Sequence, residues 1–329
     1  MSMLPWNEAL LDRLRRDSLP HALLIHGAQG VGKLALAERI AQFVLCEAKV
    51  AASRPCGACD GCRWYAAGNH PDFRRLEPEA LALLRPGHAD TEPTEEEGES
   101  GGRRKKPSAV IKIEQVRGLA DFLYVGSHRG RARLTLIHPA EDMNPNAANA
   151  LLKGLEEPPA GAMFLLVSHR PSGLPATIRS RCVAVPVSLP PRQAALQWLA
   201  AQGVKDAERW LAYAGGAPLR AMAFASGSET VDRLLRAISS RADLLIDDRE
   251  ALEALAVALQ KMALDKAFAA SGVAAKYNIA SAKPDRTRAK AWLDYARQMG
   301  RNRLLARHPL NTRLFGAEMM ATMPSDEQS

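Results

Sequence analysis

Two groups of residues in this sequence have types and spacings that could do chemistry. The first is the run Gly27-Ala28-Gln29-Gly30-Val31-Gly32-Lys33-Leu34. Gly27, Gly32 and Lys33 stand at the spacing of G-x-x-x-x-G-K-[ST], with Gly30 between them. Such a loop turns successive backbone N–H groups inward to cradle phosphate. The helix after it adds its positive end, and the lysine reaches the outer phosphates. Leu34 stands where a hydroxyl would hold Mg²⁺, so metal-dependent hydrolysis is not expected at this loop. Binding of ATP or ADP without magnesium stays open, beside the plain alternative of a glycine-rich turn that binds nothing.

The second group is Cys46, Cys56, Cys59 and Cys62, a Cys-x9-Cys-x2-Cys-x2-Cys array with Gly57 and Gly61 inside it. Four thiolates suit a closed tetrahedral zinc site, which holds structure and leaves no open position for catalysis. The glycines permit tight turns beneath a metal. Buried free thiols, a redox pair and an iron–sulfur cluster are the alternatives on these residues, and His70 could replace one ligand.

The elements around these groups follow from the apolar pattern. Residues 7–19 read as an amphipathic helix with Leu10, Leu11 and Leu14 on one side. Ala22 to His26 is a short apolar run that ends at a glycine, as a buried parallel strand does. Leu34 to Leu45 reads as a helix, so strand, loop and helix supply the context a phosphate loop requires. The first cysteine lies at the end of that helix, and a metal there would pin an excursion back to the core.

Residues 86–107 change composition: Glu92, Glu95, Glu96, Glu97 and Glu99 precede Arg103, Arg104, Lys105 and Lys106. Such a segment cannot bury apolar surface and is expected to be a disordered loop of self-compensating charge. A helix from Ile111 to about Tyr124 and a buried strand from Arg133 to Ile137 follow. A phosphate-loop ATPase would carry an Asp for the metal and a Glu for the water after that strand. His138 and Pro139 occupy those places. Pro139 is expected to begin a helix that directs Glu141 and Asp142 away.

Length and composition bound the rest. A chain of 329 residues is long enough for two or three domains. Hydrophobic residues at 47% and charged residues at 24% are ordinary for a soluble globular protein. No apolar run approaches the roughly 18 residues of a membrane span, and Met1 to Trp6 show no signal-peptide pattern. A cytoplasmic location without membrane contact is therefore expected, and clustered cysteines fit a reducing compartment. The net charge of +8 is compatible with nucleic acid or an acidic partner and decides neither.

Four further stretches carry a resemblance. They are Asn146-Ala147-Ala148-Asn149-Ala150-Leu151-Leu152-Lys153-Gly154-Leu155-Glu156-Glu157-Pro158-Pro159, the Leu174 to Cys182 segment ending Ser180-Arg181-Cys182, Gly215 to Arg220, and His308 to Asn311. Together with the four-cysteine insert they resemble the AAA+ clamp-loader subunits of bacterial DNA polymerase III over nearly the whole chain. The resemblance implies an α/β AAA+ module, a parallel sheet with flanking helices and a zinc-binding insert, then a small helical lid and a C-terminal all-α collar. The implied boundaries are 1–188 for the nucleotide-binding-like domain, with the insert at 46–62, then 189–226 for the lid and 227–329 for the collar.

Within that family, the motor subunits should have Lys-[Ser/Thr] in the loop and Asp-Glu after the strand. This chain departs at Leu34 and at His138-Pro139, and it ends without the long extension of the motor's τ form, so the resemblance implies the non-hydrolysing stator. Arg181 then takes the place of an arginine finger offered in trans to a neighbour's ATP. Ser168 or His169 takes the sensor-1 place and Arg220 the sensor-2 place. Implied partners are the τ/γ motor subunits and the δ subunit, with the sliding clamp and primed DNA reached through the complex. An ATP-hydrolysing motor of the τ/γ type and a zinc-dependent DNA-binding module are the alternatives.

The remaining pattern is helical. Residues 191–225 read as two or three short helices. Leu234, Leu235, Ile238, Leu244, Leu245, the run 251–270, and then Trp292, Leu293, Ala296, Leu304 and Leu305 recur at helical spacing. Cys182 reads as a buried thiol, and residues 324–329 as a disordered end.

Overall fold

The computed structural model describes all residues except 1–3, 17, 86–106, 125–131, 243, 281–284, 307, 309 and 325–329. The charged segment expected at 86–107 and the C-terminal tail therefore fall, but for Pro107 and Pro324, outside the described residues. The chain divides into two compact units, Met1–Leu189 and Pro190–Ser329.

The first unit is built on a parallel sheet. Its strands are β1 (Ala22–Gly27), β2 (Phe73–Leu76), β3 (Arg133–Ile137), β4 (Ala162–Ser168) and β5 (Val183–Val187), in the order β2-β3-β4-β1-β5. β1 is central: Leu24 stands opposite Leu166 of β4 on one side and Ala184 of β5 on the other. Strands β3 and β4 are buried along their whole length, as expected where helices cover both faces.

Its helices are α1 (Glu8–Arg16), α2 (Lys33–Leu45), α3 (Asp60–Ala66), α4 (Glu79–Ala82), α5 (Ile113–Tyr124), α6 (Pro145–Glu156) and α7 (Ala176–Arg179). Alternation along β1 sends Leu24 into a core shared with Val116 of α5 and Leu151 and Leu155 of α6. Leu36 and Ile40 of α2 are also fully buried, and α2 packs against β1, β3 and β4. Burying each such side chain stabilises the fold by about 2 kcal/mol. α6 starts where it does because Asn144 accepts a hydrogen bond from the Ala147 N–H at 2.7 Å and Pro145 fills the first helical position.

Several sequence expectations need correction here. α1 stops at Arg16 rather than Leu19, because Pro20 disfavours helical backbone before it. The helix expected from Ile111 begins at Ile113, since Ile111 instead bridges to Met143 and donates its N–H to Asp142 O at 2.8 Å. Pro139 precedes one 3₁₀ turn, Ala140–Asp142, and not a continuing helix.

The second unit is helical: α8 (Arg192–Ala201), α9 (Ala207–Tyr213), α10 (Pro218–Ser226), α11 (Ser228–Ser240), α12 (Arg249–Ala270), α13 (Arg286–Leu305) and α14 (Thr312–Ala321). Ala195, Leu199, Trp210, Leu211 and Ala221 form one apolar cluster. Leu252, Leu255, Leu259 and Met262 of α12 form another with Trp292, Tyr295 and Met299 of α13. Leu244 and Leu245 lie between helices, and Leu245 is exposed, as are Leu304 and Leu305 at the end of α13. His308 and Asn311 precede α14, whose first turn Asn311 caps by accepting from Leu314 N–H at 3.1 Å. No described helix is long and apolar enough to cross a membrane.

Candidate functional site

The glycine-rich loop joins β1 to α2. Gly27, Gly30 and Gly32 all have positive φ, at 149°, 86° and 90°. Gly27 is also required by space against fixed backbone, whereas Gly32 crowds the end of a leucine side chain. A Cβ on Gly27 would lie 2.2 Å from Val187 O, and one on Gly32 would lie 2.1 Å from Leu4 Cδ1.

Lys33 does not reach outward. Its ammonium donates to Gly27 O at 2.9 Å and Ala28 O at 2.5 Å, and the residue is 2% exposed. Burial pulls its pKa down to about 8, while the carboxylate of Glu141 opposes the shift. From the outside, Trp6 Nε1–H donates to Val31 O at 3.0 Å and Asn7 Nδ2–H to the same oxygen at 3.2 Å. The loop's carbonyls are thus engaged by this chain's own donors, and Leu34 beside them offers no hydroxyl.

At the ends of β3 and β4, His138 and His169 meet with their Nε2 atoms 3.3 Å apart. Burial pushes the pKa of His138 down to about 3, with His169 and Arg75 adding to the shift, so its ring is neutral. Glu141 is not directed away, contrary to the sequence expectation. Its Oε1 accepts the N–H groups of His169 at 2.9 Å and Arg170 at 3.1 Å, and its charge acts on both Lys33 and His138. The reason is the tight 3₁₀ turn: it leaves Glu141 beside amides that follow β4 and that need an acceptor. Ser168 is fully buried, and its Oγ accepts from Arg170 N–H at 3.2 Å.

The four cysteines converge. The Sγ atoms of Cys46, Cys56, Cys59 and Cys62 all lie within 4.8 Å of one another, and Cys46 and Cys59 are 3.9 Å apart. The sulfur–sulfur edge of a tetrahedral Zn–S4 site is roughly 3.8 Å, so the group could hold such a metal ion. Backbone N–H groups of Glu47, Cys56, Cys59 and Cys62 point at the sulfurs, each at 3.4 Å. They would steady thiolates. The N–H groups of Ala58 and Cys59 pull the Cys56 thiol down to about 6, whereas burial pushes Cys62 up to about 12. His70 is not among the group: its Nδ1 accepts from Asp72 N–H at 3.0 Å. Among the described residues this is the one set of His, Cys, Asp or Glu side chains placed to share a metal.

Arg181 follows α7 and is half-exposed. Its Nη1 donates to Thr177 O at 2.9 Å, and its Nη2 lies 2.6 Å from Oε1 of Glu156, the last residue of α6. The sequence marks Glu156 only as part of a family-like stretch and says nothing of this pairing. Cys182 beside it is buried, and burial pushes its thiol up to about 11. Arg220 lies on α10 in the second unit, its guanidinium 5.2 Å from the Phe224 ring centroid.

A family model described as DNA polymerase III, delta subunit, matches residues 6–191. The chain belongs to this family. Its relatives include the delta' subunit of Pseudomonas aeruginosa, 41% identical over 222 residues, or 66% of this chain and 60% of the relative. The tau subunit of Escherichia coli is 32% identical over 175 residues, covering 53% of this chain and 23% of the relative. Among solved structures, a gamma subunit-related protein of Thermotoga maritima covers 96% of this chain and 97% of its own at 16% identity, with a TM-score of 0.49. The chain thus spans about three fifths of the Pseudomonas relative's length. The family match takes in the parallel-sheet α/β unit with its glycine-rich loop, its four cysteines and Arg181; Arg220 lies beyond it.

Proposed function

We propose that this chain serves as a δ′-type stator of the DNA polymerase III clamp loader, a subunit that does not itself hydrolyse ATP. Family membership supports the clamp-loader assignment, and Leu34 together with His138 carries the non-hydrolysing part. Two features needed for hydrolysis are replaced at once. Leu34 cannot ligate magnesium, and neutral His138 stands where a metal-binding carboxylate belongs. The loop then serves as scaffold, without need of ATP or ADP.

Arg181 supplies the chemistry. Its guanidinium stabilises developing charge on ATP held by a neighbouring τ/γ motor subunit. The helical lid at 189–226 and collar at 227–329 join this chain to those motors and to δ, and the assembly acts on the sliding clamp and primed DNA in the cytoplasm. Arg220 takes the sensor-2 place, at a site with no competent nucleotide of its own. The four cysteines hold one structural zinc, which fixes the insert and takes no part in catalysis.

The test is a reconstituted loader carrying Arg181→Ala. A trans arginine is worth about 10³-fold or more in phosphoryl transfer, so DNA- and clamp-stimulated ATPase should fall by orders of magnitude. Unchanged turnover would sink the finger. The similarity to tau favours one second reading, an active motor. ATPase turnover by the isolated chain, lost on Lys33→Ala, would establish it.

A further inference from the structure

Both terminal nitrogens of Arg181 are engaged within this chain, Nη1 by Thr177 O and Nη2 by the Glu156 carboxylate. A guanidinium grips phosphate by forking two N–H groups onto two oxygens. The N–H groups aimed at Thr177 O and at Glu156 are therefore open to a phosphate only once those partners let go, and the Glu156 carboxylate competes with it for the same charge. The carbonyl of Thr177 belongs to the helical turn of α7 that carries Arg181, and it is fixed. Glu156 is a side chain at the end of a different helix, and it is displaceable.

We propose that Glu156 is a positioning residue that competes with the neighbour's phosphate for Arg181; this rests on the finger reading above. The side chains of Arg181 and Glu156 are 35% and 46% exposed. Solvent screens such a pair, so it holds on the order of fivefold at most. That is enough to keep the finger on this chain when the facing site is empty. It is too little to resist a γ-phosphate, which carries more charge than a carboxylate and accepts the fork in full. Once hydrolysis removes the γ-phosphate, Glu156 recaptures the guanidinium. The contact thereby favours engagement with ATP over ADP and eases withdrawal after turnover. The negative end of α6 adds to the hold, because Glu156 is the helix's last residue.

The alternative role for the same contact is orientation, in which Glu156 aims Arg181 and its removal costs activity. Glu156→Gln separates the two. It keeps the size of the side chain and an oxygen that can accept a hydrogen bond, and it removes the charge. Glu156→Ala removes all three. Both variants go into a reconstituted loader with primed DNA and clamp, alone and with Arg181→Ala, and steady-state ATPase gives KM and kcat separately. Competition predicts that both variants lower KM for ATP by about two- to fivefold, with kcat changed less, and that neither does so when Arg181→Ala is present. An unchanged or raised KM overturns the proposal while leaving the finger standing, provided Arg181→Ala alone lowers turnover. An equal KM shift with and without Arg181 also overturns it, because Glu156 would then act elsewhere. If Arg181→Ala alone is silent, the finger and the competition fail together.

Discussion

Lys33 of the first unit and Lys261 of the second are both withdrawn from water, at 2% and 7% exposure, and the fold keeps them in opposite ways. Lys33 is held by lone pairs: two carbonyls of its own loop accept from its ammonium. Among the described residues, no hydrogen-bond acceptor reaches the Nζ of Lys261. It lies instead over three rings, with Nζ 3.6 Å from the centroid of Tyr213, 4.5 Å from Phe224 and 5.7 Å from Tyr277. The nearest carboxylate along its helix, Asp265, is spent on the N–H groups of Lys276, Tyr277 and Ile279. Burial pulls Lys261 down to about 7, and the charges of Arg220 and Arg303 pull the same way. The difference teaches that two buried lysines of one chain can be kept by unlike partners, lone pairs for one and ring faces for the other.

The largest test of the scaffold side of this comparison acts at the far end of α2. That helix begins at Lys33 and ends against Cys46, the fully buried first cysteine of the insert. Metal analysis of the purified chain should find about one equivalent of zinc bound by thiolates. Stripping it with a strong chelator, or replacing Cys59 by Ser, should destabilise the insert by several kcal/mol. Hydrogen exchange should then rise through residues 46–67 before the strands of the sheet respond. Metal-free protein with full protection there would refute the site and leave α2 pinned at its loop end alone.

A matched pair of lysine-to-methionine substitutions probes the comparison directly, and the first carries the larger effect. Lys33→Met keeps the length and apolar stem but removes the donor to Gly27 O and Ala28 O. Hydrogen bonds from charged groups are worth about 1.5–3 kcal/mol each before the relief of burying a charge is counted. A net loss of about 1–3 kcal/mol in chemical denaturation at pH 7 is expected, with the ATPase of the assembled loader unchanged. A fall in assembly ATPase without loss of stability would show that the loop still serves a nucleotide.

How far these features could be read in the sequence differs along the same line. The glycine-rich loop, the strand before it, the helix after it and the cysteine array were legible. Each is marked by residue types at fixed short spacing, and local geometry decides them. What the sequence did not show are contacts made across it. Glu141 turns back to the amides of His169 and Arg170, Glu156 takes Arg181, and Trp6 and Asn7 cap Val31 O. Each pairs residues at least 24 positions apart through side chains that propensity treats as ordinary surface. Lys261 is the extreme case. In the Ala- and Leu-rich run of α12, a lysine reads as a solvent-facing position, and only the fold brings Tyr213, Phe224 and Tyr277 around it.

Lys261→Met is the smallest expected effect at pH 7 and the most diagnostic one with pH. No hydrogen bond is lost, and the cation–π attraction of about 1–2 kcal/mol in a desolvated cage is offset by no longer burying a charge. The net change should stay within about 1 kcal/mol on these figures. The sign with pH follows from the lowered folded pKa. Between about 7 and 10.5 the unfolded chain binds a proton at Lys261 that the folded chain does not. Stability therefore rises with pH across that window and is lost as pH falls through 7. The wild-type chain should gain stability from pH 7 to pH 10, and Lys261→Met should gain less. Lys33→Met should remove only the part of the rise above about 8. If both variants keep the full wild-type slope, the ring faces hold Lys261 charged as firmly as carbonyls hold Lys33, and the contrast between the two lysines is one of partners and not of charge.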